Sequence, residues 1–264
     1  MTQPTTLQTL QATGPVSPAA VSGAVLFGRY AFAPNRLGYC GPDETSTLLE
    51  YIAEGRTDRG LLALERRFAG AYPYLQLIAS ANGIADPFDR RVVEAYWIGN
   101  PYLERVNASA FHQSLGERFR TRMDTRTFGW LATKLELGAR PHHNFHVFEV
   151  YTRAGLMNDR TAPVLLETMD NCRISWGKVV ALDGAALLVE RRKLVLADGK
   201  LALGRPDVLR VARQLGGRGF VDDAQPGDVV SVHWDWACEV LRPAALKRLM
   251  AATHRYIELA NRAL

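Results

Sequence analysis

Three of the six histidines in this 264-residue chain fall within five residues, in the run Pro141-His142-His143-Asn144-Phe145-His146. On a helix His142 and His146 would share a face one turn apart, and on a strand the same two would share a face by alternation. Either spacing can hold one metal ion. His143 adds a third imidazole, and Glu149, Cys40 or His112 are further ligands the chain offers. A metal held there would activate water, dioxygen or a one-carbon precursor. The competing reading gives these histidines structural hydrogen bonds. The thiols are Cys40, Cys172 and Cys238. An odd number in a chain of this length suits reduced cysteines rather than a disulfide framework. Cys40 sits in a turn-rich stretch from Ala33 to Glu44 with two Gly and two Pro, in which Asp43 is placed to cap a helix beginning at Glu44. The stretch reads as a loop packed on a helical domain; the functional alternative puts Cys40 and Asn35 at a site.

The elements that must position these groups change character along the chain. From Asp170 to Leu241 apolar residues alternate and are punctuated by Asp183-Gly184 and Asp198-Gly199. That pattern makes strands and tight hairpins. One hairpin should pair residues 177–182 with 185–190, and a second should pair 193–197 with 200–203. A turn at Pro226-Gly227-Asp228 leads into a strand over 229–233 that continues through 234–241. About five short strands suit a small closed antiparallel barrel, which removes exposed edges. Leu209, Ala212 and Leu215 predict a short helix inside 205–219.

Two motifs at the ends of this stretch carry a resemblance. Cys172 is followed by Gly177-Lys178-Val179, and Gly227-Asp228 is followed by Val230, Val232, His233 and Ala237. In type, order and spacing they resemble the hydrogenase formation chaperones of the HypC/HupF type, over roughly residues 171–264. The resemblance implies an OB-like barrel with a C-terminal helix. It also implies a function in [NiFe] hydrogenase assembly: transient binding of an iron fragment through Cys172 and His233, and its delivery to the hydrogenase large subunit. A thiolate and a neutral imidazole suit low-spin iron with strong-field ligands. The chain differs from the family in having Cys172 internal rather than N-terminal, Trp176 where the family has Pro, and an insertion over 205–219.

Upstream, residues 1–20 are rich in Thr, Gln, Pro and Ser and predict a disordered tail. Helical periodicity recurs over 44–137, with segments at 74–81, 89–98, 102–119 and 125–137 separated by Pro and Gly. Arg90, Glu94, Tyr96 and Trp97 read as packing and surface pairs. A connector over 156–169 starts a further helix near Ala162-Pro163. The final segment from Pro243 puts Leu246, Leu249, Met250, Thr253 and Ile257 on one face. The fold class is therefore α+β: a tail over 1–20, a helical domain over 21–168, and a HypC-like barrel with its helix over 169–264.

The net charge of +5 comes from scattered arginines, densest at Arg59, Arg66 and Arg67 and at Arg118, Arg120, Arg122 and Arg126. They read as solvated helix faces rather than a nucleic-acid surface. No apolar run reaches the ~18 residues of a membrane span and no secretory leader is evident, so a cytoplasmic protein without membrane insertion is expected. Three functions remain: an assembly factor using Cys172 and His233, a metal enzyme using His142, His143 and His146, and a metal-free interaction module.

Overall fold

The computed structural model describes residues 21–151, 158 and 160–262. The tail expected over 1–20 lies outside the described residues. The chain is mixed α and β, with the helices first, a five-stranded sheet after them and a long helix at the end.

Helix α1 (Gly23–Arg36) is buried almost throughout, from Gly23 to Asn35, with Arg29 alone among those partly exposed. Apolar on every side, it has no polar stripe to betray it as a helix, and it sits at the centre of the protein. The sequence reading assigned its last turn, Ala33-Pro34-Asn35-Arg36, to a loop. That is corrected here: Pro34 lies inside α1, and the loop begins only at Leu37. Helices α2 (Thr45–Ala53), α3 (Arg59–Glu65) and α5 (Arg90–Trp97) pack on α1, and α4 (Tyr72–Ala81) packs on α5. The expected Asp43 cap is not made; Glu44 occupies the cap position of α2 without a side-chain bond. Asp58, Asp89, Asn107 and Asp124 do cap α3, α5, α6 (Ala108–Phe119) and α7 (Thr125–Glu136), each accepting from a first-turn amide. The helix expected over 102–119 is two elements, a 3-10 turn at Pro101–Arg105 and α6, because the Asn107 cap starts a new helix.

A short α8 (His143–Phe145) runs into a π-helical turn (His146–Tyr151), and α9 (Ala162–Cys172) leads to the sheet. Strands β1 (Ser175–Asp183), β2 (Ala186–Ala197) and β3 (Lys200–Ala212) are antiparallel neighbours. After a small ribbon, β4 (Gln214–Leu215) with β5 (Arg218–Gly219), come β6 (Val229–His233) and β7 (Trp236–Val240). The strand order is β1-β2-β3-β7-β6, and β6 pairs back onto β1, so the ring of pairings closes. The β3–β7 join is one parallel bridge, Ala212 with Trp236.

Two expectations need correction. The first hairpin turns at Gly184-Ala185, because Asp183 pairs with Ala186, and a bulge between Val179 and Ala181 absorbs the shift. The 205–219 segment holds no helix among the described residues: 205–212 continues β3 alongside β2, whose amides and carbonyls it satisfies. The second hairpin is as expected, Ala197 pairing with Lys200 and both Asp198 and Gly199 having positive φ.

Helix α10 (Pro243–Asn261) closes the fold. It buries Leu249, Thr253, Tyr256 and Ile257, while Met250 is partly exposed rather than on the packed face. One buried cluster joins residues of α1, α4, α5 and α8 to those of the sheet and α10. Among the described residues no helix is long and apolar enough to cross a membrane.

Candidate metal centre

The end of α9, the β6–β7 turn and α8 meet beside α1. One nitrogen of His143, the sulfur of Cys172 and one nitrogen of His233 all lie within 4.8 Å of one another. A tetrahedral ion with bonds of about 2.0–2.3 Å holds such donors roughly 3.5 Å apart, so an inward movement of about 1 Å would let all three share it.

Cys172 is fixed by its neighbours in sequence. Two residues earlier, the buried Asp170 carboxylate accepts from Arg173 (Nη2 at 2.7 Å), from Arg191 (Nη1 at 3.0 Å) and from the amide of Leu194 (2.8 Å). These bonds clamp the last turn of α9 onto β2. On the other side, the Trp234 amide donates to the carbonyl of Asn171 at 2.8 Å. Trp234 and Asp235 form the β6–β7 turn with φ of 49° and 55°, values costly for residues with a Cβ. The tight turn brings His233 back towards Cys172.

His233 is 1% exposed. Its Nδ1–H donates to the Tyr30 carbonyl of α1 at 2.6 Å, which fixes the tautomer and leaves the Nε2 lone pair free. Nε2 is buried with no hydrogen-bond partner. Burial holds its pKa down at about 4, so the ring is neutral at neutral pH. His143 lies opposite, the two ring centres 5.2 Å apart. Its Nε2 is 2.7 Å from the Cys172 carbonyl and 3.9 Å from the Cys172 sulfur, and its Nδ1 is 3.2 Å from the Tyr96 hydroxyl. If Nε2 became a ligand, its proton would move to Nδ1 and the Tyr96 oxygen would accept it. Burial, then the neighbouring His233, pushes the His143 pKa well below the usual range. The Cys172 thiol is pushed up to about 12 by burial and by nearby Cys40, with the Trp234 indole N–H pulling the other way. Two neutral imidazoles and a thiol that must shed its proton form a donor set for a thiophilic divalent ion.

The structure thus takes one residue from the histidine run and joins it to the two from the barrel motifs. The run itself does not converge, and the expected His142/His143/His146 site is corrected on that ground. His142 caps α8, its Nδ1 accepting from the Asn144 amide at 3.0 Å, and its ring stacks on Tyr256 of α10. His146 turns towards Tyr74, Nδ1 to hydroxyl 3.5 Å, and stacks on Tyr151. His142 is the extended N-cap of α8 and stands outside the helix, so the one-turn spacing of a straight helix is not realised. Glu149 pairs instead with the buried Lys134 at 3.7 Å, and His112 packs on Phe128. Asn35 is structural: its Nδ2 holds the carbonyls of Cys40 and Pro42, at 3.0 and 2.6 Å. Arg118 is no solvated charge, since it lies 4.3 Å over the Tyr74 ring and donates to the carbonyl of Gly70.

Two residues that matter here had no role in the sequence reading. Tyr96 was read as packing, yet it is the hydrogen-bond partner of His143. Pro34 was read as a turn marker, yet it sits one helical turn beyond the carbonyl that orients His233.

Neither a curated protein nor a solved structure matches the chain. Residues 19–264 match a family of unknown function, DUF6390, and the chain belongs to that family.

Proposed function

We propose that the protein is an accessory factor for [NiFe] hydrogenase assembly that carries an iron fragment on His143, Cys172 and His233 and passes it to the large subunit. It acts as a carrier in the cytoplasm rather than as an enzyme, and its strand ring is an OB-like barrel of the HypC kind. The observation that carries this reading is the approach of Cys172 and His233. These are the two residues the chaperone resemblance singles out, and they lie within 4.8 Å of each other and of a third donor. The orphaned Nε2 of His233 adds to it, because a buried acceptor without a partner is costly unless something occupies the position. The metal is the protein's cargo: the three donors border a cavity, which leaves a side from which it can be handed over.

The test is transfer. Protein loaded anaerobically with iron is mixed with the precursor of a hydrogenase large subunit from the same cell, and iron is measured on each after separation. Wild type and His142→Ala should deliver iron; Cys172→Ala and His233→Ala should not. Failure of the wild type to bind or hand over iron to that subunit overturns the proposal.

A further inference from the structure

The open side of the His143, Cys172 and His233 cluster is a cavity of about 70 Å³, and its wall carries a second thiol, Cys40. We propose that Cys40 is the fourth ligand of the loaded site, completing a set of two cysteines and two histidines. This rests on the metal-carrying reading above and adds one donor to it.

Ferrous, cobaltous and zinc ions held by thiolate and imidazole take four donors in a tetrahedron. Three inner donors leave one position, and the surroundings restrict where it points. The Trp97 ring covers one side, 4.6 Å from the ring of His143 and 5.7 Å from that of His233. Tyr96 occupies the Nδ1 side of His143. What remains is the cavity, whose wall carries two further donors outside the group of three, Cys40 and His146. His146 is already engaged by Tyr74 and Tyr151. Cys40 is a soft donor that matches Cys172. The buried, partnerless Nε2 of His233 is the independent sign that this cavity receives a ligand.

The segment bearing Cys40 is built onto the site. It leaves α1 immediately after the turn that holds Tyr30 and Pro34. Tyr39 stacks on Trp234 with ring centres 4.2 Å apart, so the loop touches the residue next to His233. Gly38, with φ of 74°, ends α1: its amide donates to the Asn35 carbonyl and the Tyr39 amide to the Pro34 carbonyl, which sets the direction of the loop that carries Cys40. Each thiol that becomes a ligand releases its proton to solvent, so loading a neutral apo site releases two protons per ion with Cys40 engaged and one without it. Of the four donors, Cys40 alone lies on a surface loop, whose Tyr39 is 55% exposed. It is the ligand that a docking partner can pull away, opening a position for handover.

Cobalt(II) is the probe, titrated into full-length protein under anaerobic, reducing conditions. Thiolate-to-cobalt charge transfer in the near ultraviolet grows with the number of sulfur ligands. Its intensity should fall by about half in Cys40→Ser, in Cys40→Ala and in Cys172→Ser, and protons released per ion should drop from about two to about one. Circular dichroism verifies that each variant is folded. Full intensity in both Cys40 variants, with its loss in Cys172→Ser, overturns the assignment of Cys40 and leaves the three-residue site standing. Absence of any thiolate band in the wild type overturns both.

Discussion

The imidazole of His233 hydrogen-bonds to the carbonyl oxygen of Tyr30, and that oxygen is free to accept because Pro34 stands where its helical donor would be. In a regular α-helix the amide one turn further on bonds to this carbonyl, but proline has no N–H. The proline inside α1 thereby gives His233 of the sheet a tautomer lock, of the kind that orients metal-binding histidines.

Replacing Pro34 with Ala should therefore act on the site more than on the fold. The new amide competes for the Tyr30 carbonyl, the Nδ1–H of His233 loses its fixed partner, and Nε2 is no longer held as the acceptor. Cobalt affinity measured by calorimetry should fall roughly tenfold, in line with loss of an outer-shell partner, while the unfolding midpoint is unchanged or higher. Unaltered affinity would show that the Tyr30 bond does not govern the imidazole.

The clamp on Cys172 gives a second expectation. Asp170→Asn keeps the shape of the side chain but removes the charge that Arg173 and Arg191 share, and both arginines are buried. Stranding buried guanidinium groups costs about 3–5 kcal/mol. Denaturant unfolding should show a loss of that order. A loss below about 1 kcal/mol, the scale of an exposed pair, would mean that the cluster is not desolvated in solution.

How stability responds to acid follows from the buried imidazoles. His142, His146 and His233 have folded-state pKa values lowered by burial, to about 3, about 4 and about 4, and His143 lies well below its ordinary value. Above the unfolded value of 6.5 all are neutral in both states and contribute nothing. As pH falls below 6.5 the unfolded chain takes up protons that the folded chain refuses, so stability declines, by up to about 1.4 kcal/mol per pH unit for each histidine. Glu149, raised to about 7 by burial, and Glu65, also raised, work in the opposite sense, gaining stability as pH falls towards 4.5. Four histidines outweigh two carboxyls, so the melting temperature should drop between pH 6.5 and 4.5. A flat profile there would contradict the buried neutral histidines.

What could be read from the residues alone follows physical lines. The Asp198-Gly199 turn was legible because few residues tolerate positive φ at two successive positions. The second half of β3, residues 205–212, was not, because Leu209, Ala212 and Leu215 satisfy a helical spacing, and only the long partner strand β2 decides between the two periods. Helix α1 escaped because a helix buried on all sides has no amphipathic signature. At the site, Cys172 and His233 were legible as the ends of paired motifs. The partnership of His143 with them was not, since it depends on the packing of α8 against the end of α9 and on the Asp170 clamp.

Because α1 supports the His233 tautomer, its seating on α5 should be felt at the site. Gly23 opens α1 against the start of α5, and a Cβ placed there would lie 1.9 Å from the Phe88 carbonyl oxygen and 2.6 Å from the Arg90 amide. Backbone atoms cannot swing aside as a side-chain tip can, so Gly23→Ala must displace one helix from the other. Arg90 cannot hold them in register, because its own bonds, to the Val21 carbonyl and to Glu239 of β7, cross the same junction. The expected loss is about 3 kcal/mol or more in urea unfolding, on the scale of core overpacking, with weaker cobalt binding as Tyr30 shifts. Gly55→Ala serves as the comparison: φ there is 64° and the space is open, so only the conformational penalty of about 1 kcal/mol applies, without effect on cobalt. Equal losses in the two variants would show that steric seating of α1 on α5 is not what Gly23 provides.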